Sequence, residues 1–170
     1  MNVVITLPAD LIAAIKDKKK CFEVRSKLPR NFDPQKDVVF VCQKGTNKVP
    51  IYFTILKFYT YTKHSDCNDY IAKKAAVPTQ WIANYMENKD CIHAWVIGYV
   101  CELSSPVFVW HQLQIKHNPQ SFIYTHYEWK NTTVDNCFVS DFITYSDMDK
   151  MMHPLRTQIK WLTQQKKAIQ

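Results

Sequence analysis

Between residues 20 and 25 the chain reads Lys20-Cys21-Phe22-Glu23-Val24-Arg25, a carboxylate set between two basic side chains. In an extended strand, period-two alternation puts Phe22 and Val24 on one face and Cys21, Glu23 and Arg25 on the other. Lysine and arginine can hold phosphate, and a carboxylate accepts hydrogen bonds from the amino or imino groups of a base. Taken alone, Glu23 and Arg25 read first as an intrastrand ion pair, worth little if exposed. Lys20 is the candidate nucleophile of the segment. That role needs a neutral amine near pH 7, which Lys18 and Lys19 favour and Glu23 opposes. We therefore read Lys20 as a charged ligand contact, with a catalytic Lys20 and Glu23 as the alternative. Cys21 reads as a small hydrophobe rather than a nucleophile.

The surrounding charge has the same character. The chain of 170 residues carries 22 basic and 15 acidic side chains, and residues 1–30 hold seven of the basic ones against three acidic. Lys16, Lys18, Lys19, Lys20, Arg25, Lys27 and Arg30 make a patch that attracts a polyanion, most simply nucleic acid, or else a solvated lysine-rich turn. The only glycines are Gly45 and Gly98, which excludes glycine-rich phosphate loops, dinucleotide fingerprints and nucleophile elbows. The six histidines show no HxH, HxxxH or HExxH spacing, so no metal site and no cofactor are expected. Six cysteines without a CxxC pair, and an N-terminus without a cationic leader, suggest reduced thiols in a cytoplasmic protein. Asn131-Thr132-Thr133 is then an incidental glycosylation match, and no apolar run is long enough to span a bilayer.

The elements that must position these residues follow from periodicity. After the apolar run Val3-Val4-Ile5, Thr6 is suited to cap a helix with Pro8 in its first turn, running to about Lys18. The 21–25 strand is followed by a loop broken by Pro29 and Pro34, a buried strand over 38–42 and a hairpin turn at 44–47. A long aromatic and β-branched strand spans about 49–61. Two short helices follow, near 66–75 and from Pro78, the second with Trp81, Ile82, Tyr85 and Met86 at helical spacing. A central strand covers 92–103 and ends at Pro106, a helical turn carries Trp110 and Leu113, and Pro119 opens an extended piece through Tyr124. Trp81, Tyr85, Trp95 and Trp110 read as core, and Tyr59, Tyr61, Tyr124 and Tyr127 as candidates for exposed stacking. Residues 131–170 read as an extension with an amphipathic helix after Pro154, built on Leu155, Ile159 and Leu162 and packed on the domain formed by residues 1–130.

This order of elements, over about residues 3–127, resembles the ASCH family of PUA-like domains. The 20–25 segment is similar to the family's G-x-K-x-x-E-x-R signature. Ile51-Tyr52-Phe53-Thr54-Ile55 is similar to the strand after its hairpin. Val77-Pro78, Tyr85-Met86-Glu87-Asn88 and Ala94-Trp95-Val96-Ile97 follow its helix, turn and central strand. Pro106-Val107, Ile115-Lys116 and Asn118-Pro119-Gln120-Ser121-Phe122-Ile123-Tyr124 resemble the closing element of the branch of RNA-binding or transcription-regulator proteins. The chain departs from the signature where Asp17 or Lys18 replaces its glycine. The resemblance implies an α+β fold, a small, partly open β-barrel with flanking helices, here with an extra C-terminal helix. It also implies a cleft beside the first helix, with Lys20, Glu23 and Arg25 along it and Gln120, Ser121 and Phe122 as another wall, Phe122 available for stacking.

The expected function is a non-catalytic module binding single-stranded or modified RNA, in a regulatory role, through Lys18, Lys19, Lys20, Glu23, Arg25, Lys27, Gln120, Ser121 and Phe122. The partner is RNA or another nucleic acid, with no membrane partner. Some family members are amidohydrolases that cleave acylated cytidine with a lysine at the position of Lys20, so a small amidohydrolase is the alternative. In that branch a threonine stands where this chain has Glu23. A third reading is a protein-interaction scaffold docking through the C-terminal helix.

Overall fold

Two long antiparallel strands carry the architecture of the computed structural model, which describes residues 1–64, 67–117 and 119–140. In chain order the elements are β1 (Asn2–Leu7), α1 (Ala9–Lys16), β2 (Phe22–Arg25), β3 (Val39–Gln43), β4 (Lys48–Thr62), α2 (Asn68–Ala75), α3 (Thr79–Met86), β5 (Cys91–Phe108), β6 (Phe122–Thr125) and β7 (Val134–Val139). The strands form one seven-stranded sheet in the order β2-β5-β4-β3-β1-β6. The far edge of β5 is shared end to end, with β2 on residues 93–96 and β7 on residues 99–103. The sheet curls into the expected α+β, partly open barrel, and its open seam lies between the ends of the order, β2 and β6.

β1, β3 and the middle of β5 are apolar on both faces because both faces are covered there. Val3, Ile5, Val39, Val41, Ile51, Phe53, Trp95 and Ile97 fill the interior. Outside, α2 and α3 lay Ile71, Ala72, Ile82 and Met86 on Phe22, Val24, Ala94 and Val96. The segment after β5, with Val109, Leu113 and Ile115, covers Phe40 and Tyr52.

Several expectations are corrected. Val3-Val4-Ile5 is not a lead-in to a helix but the middle of β1, parallel to β3 and antiparallel to β6. Thr6 therefore lies in a strand, and Pro8 occupies the N-cap of α1. Pro106 does not end β5, because residues 104–106 fall in an irregularity of the β4–β5 register, where a missing N–H costs no ladder bond. Trp95 is fully buried, whereas Trp81 and Trp110 are 42% and 58% exposed and not core. The reduced-thiol reading fails for one pair. Cys101 and Cys137 oppose each other across β5 and β7 and form a disulfide, while Cys21, Cys42, Cys67 and Cys91 remain thiols. Within the segment read as an extension, β7 joins the main sheet, and the helix expected after Pro154 lies outside the described residues. No helix among the described residues is long and apolar enough to cross a membrane.

A charged cleft at the barrel seam

The turn after α1 aims Lys20 inward. The backbone N–H groups of Lys19 and Lys20 both donate to the Ala14 carbonyl at 2.9 Å, and Lys18 takes φ 60°, the left-handed conformation that favours glycine. The position where the signature has glycine thus keeps the glycine conformation with a lysine side chain.

From there Lys20 runs into the protein and is 2% exposed. Its Nζ donates to the Phe22 carbonyl at 2.7 Å and to the Ala75 carbonyl, at the C-terminus of α2, at 3.1 Å, and lies 3.1 Å from Glu23 Oε2. A helix C-terminus favours a cation. Glu23 Oε1 lies 2.7 Å from Arg25 Nε, a second buried ion pair. Arg25 reaches across the seam, with Nη1 donating to the Ser121 carbonyl at 2.8 Å and Nη2 to the Thr6 carbonyl at 3.5 Å. Burial pushes the Glu23 carboxyl up. The charges of Lys20 and Arg25, with the hydrogen bonds they donate, outweigh that and hold it below the usual carboxylate range.

These three side chains floor a cleft of about 270 Å³. Thr6, Leu11, Ala75, Val77 and Gln120 contribute to its walls, and Trp81 and Tyr85 form its lip. The two rings stack, with centroids 4.8 Å apart and planes 11° from parallel. Lys89 Nζ lies 4.2 Å from the Tyr85 ring centroid. Where the wall meets the floor, Thr6 Oγ1 is buried without a hydrogen-bond partner among the described residues.

Of the residues expected at the site, Lys20, Glu23, Arg25 and Gln120 line this cleft. Ser121 is present through its carbonyl, on Arg25. Phe122 instead packs against Trp95, with ring centroids 5.6 Å apart, and lines a neighbouring groove together with Lys27. Lys18 stands over the Phe138 ring and Lys19 pairs with Asp17 at 3.3 Å, and neither lines the cleft. Sequence reasoning missed Thr6, Leu11, Trp81 and Tyr85 as lining residues. The signal for the last two was available, because Trp81/Tyr85 and Ile82/Met86 form adjacent i,i+4 rows on α3 and the aliphatic row is the one buried. Among the described residues no three metal-capable side chains cluster.

Solved structures share this fold. A mutant of the ASCH protein from Zymomonas mobilis superposes with a TM-score of 0.60 at 14% identity, covering 89% of this chain and 94% of that one. Another structure of the ASCH protein from the same organism gives 0.56 at 14% identity, covering 89% and 93%. At this identity the likeness shows a common fold. No family model and no curated protein matches the sequence.

Proposed function

We propose that the chain is a non-catalytic nucleic-acid-binding module whose seam cleft takes one unpaired, and in some ligands modified, nucleobase of RNA, in a regulatory role. One observation carries this reading: a buried polar floor with unused hydrogen-bonding capacity lies beneath an exposed aromatic lip. Thr6 Oγ1 has no partner among the described residues, and a carboxylate such as Glu23 accepts more hydrogen bonds than two cations fill. Those groups can read a base edge while the exposed Trp81 ring, backed by Tyr85, supplies a stacking face, the usual way unpaired bases are held. The cleft lies at the small end of ligand pockets, which run from roughly 300 to 1,000 Å³. A nucleic-acid ligand would place the protein in the cytoplasm, where the Cys101–Cys137 bond faces a reducing pool.

Lys20 is held as a fixed internal cation that orients Glu23 rather than poised for attack. An amine nucleophile needs a free lone pair, whereas Lys20 Nζ is ringed by three acceptors, which match the three donors of an ammonium. The test is a low-salt titration of labelled single-stranded oligoribonucleotides. Trp81→Ala removes a 42% exposed ring. It should weaken binding about 5- to 150-fold, the equivalent of about 1–3 kcal/mol of base stacking. Absence of binding by the unmodified protein would reject the proposal. Release of carboxylic acid from an acylated cytidine, lost in Lys20→Ala, would replace it with the amidohydrolase.

A further inference from the structure

Beside the seam cleft lies a larger groove of about 720 Å³. We propose that it is a second subsite, taking the sugar-phosphate backbone and stacked base of the neighbouring nucleotides, so that the ligand is a single-stranded polynucleotide rather than a free nucleoside. This rests on the reading of the seam cleft given above.

The two cavities follow each other along two stretches of chain. On one wall Arg25 belongs to the first and Ser26 and Lys27 to the second, and on the other Gln120 belongs to the first and Phe122 to the second. Consecutive Cα atoms are about 3.8 Å apart. A strand leaving the first cleft therefore meets the second within a nucleotide or so. The bond from Arg25 Nη1 to the Ser121 carbonyl is the bar between them. His93, which pairs with Arg25 in the β2–β5 register, lies along the second groove.

The lining has the chemistry a nucleic-acid backbone requires. Lys27 and Arg30 line the groove, no carboxylate does, and neither cation has an ion pair among the described residues. Phe122 and Tyr124 supply rings in an edge arrangement, with centroids 5.7 Å apart and planes at 80°. Both are fixed from behind. Phe122 packs on the buried Trp95, and the Tyr124 hydroxyl accepts a hydrogen bond from the Asn31 backbone N–H at 3.2 Å. Rigid rings beside unpaired cations form the stacking-and-charge groove that tracks single strands.

The experiment compares cytidine and adenosine monophosphates with the corresponding trimers and hexamers, on the unmodified protein and on a Lys27→Gln, Arg30→Gln double variant. Both substitutions lie at exposed positions. Affinity should rise with length in the unmodified protein. In the double variant hexamer affinity should fall on the order of tenfold, and the log–log salt slope should become shallower by about 1.4, the share of two phosphate contacts on a single strand. Mononucleotide affinity should be unchanged. A length dependence that survives the double substitution overturns the proposal, as does displacement of the hexamer by polyglutamate at equal charge, which would assign the groove to an acidic peptide. Mononucleotide binding without any gain from length sinks the second subsite alone. Failure of every nucleotide, at low salt, to bind the unmodified protein sinks the seam cleft and this proposal with it.

Discussion

The wall formed by β3, β4 and β5 and the seam between β2 and β6 are built by opposite means. Along the wall, backbone ladders run from β3 to β4 and on to β5, and fully buried Phe40, Ile51, Phe53 and Val100 occupy it. At the seam the ladder is missing. Three charged side chains replace it, with Arg25 tying β2 to the Ser121 and Thr6 carbonyls and Lys20 tying the β2 approach to the end of α2. Burying charges is an inefficient way to stabilise a fold, since well-packed apolar groups of similar size are often as good or better. On the function proposed above, the polar seam is kept for a ligand, whereas the wall follows from packing alone.

The contrast is broken most strongly at Glu23. Replacing it with alanine leaves Lys20 and Arg25 buried without their carboxylate, so Glu23→Ala should destabilise by about 3–5 kcal/mol in urea unfolding. On the wall, Ile51→Val should cost only about 0.5–1.5 kcal/mol. The seam should also carry the pH dependence. Because the folded-state carboxyl of Glu23 sits below its ordinary value of 4.5, the stability it contributes is fully present above that value and is lost as pH falls through the folded one. Glu23→Gln should flatten this acid limb, whereas Ile51→Val should leave it intact. An identical acid limb in Glu23→Gln would show that the seam charges do not titrate with folding.

A smaller effect is expected at β7, which continues the edge that β2 begins. The disulfide joins residues separated by 36 positions. Its reduction should lower the urea midpoint by the equivalent of about 2–4 kcal/mol. Oligoribonucleotide affinity should be unchanged, because neither cysteine lines the seam cleft. Loss of binding on reduction would mean that the two halves of the β5 edge act as one unit.

Local periodicity made much of this architecture readable. Alternation in 22–25, the aromatic run of β4 and the helical spacing of Ile82 and Met86 each describe a neighbourhood of a few residues, and each element formed. Lys20, Glu23 and Arg25 were legible as a set only through the resemblance to the family signature, since by themselves Glu23 and Arg25 read as an ordinary strand ion pair. What escaped reading depends on distant partners. Val3 to Ile5 is a strand because β3 and β6 flank it, and Cys101 finds Cys137 only through the β5–β7 register. Thr6 looks like a helix cap in sequence and becomes a cleft residue because β1 continues past it. Trp81 and Tyr85 carry the helical period as well as Ile82 and Met86 do, and only the placement of α3 decides which row meets the core.

On the proposed function the seam, and not the wall, is the ligand-binding side of the barrel. Amide hydrogen exchange with and without a saturating single-stranded oligoribonucleotide tests it most directly, since a ligand protects the elements it holds together. Added protection is expected in β2 and across residues 120–125, with β3 and the β4 residues paired to it, 51–53, unchanged. Protection confined to the wall, or spread evenly over the sheet, would contradict it.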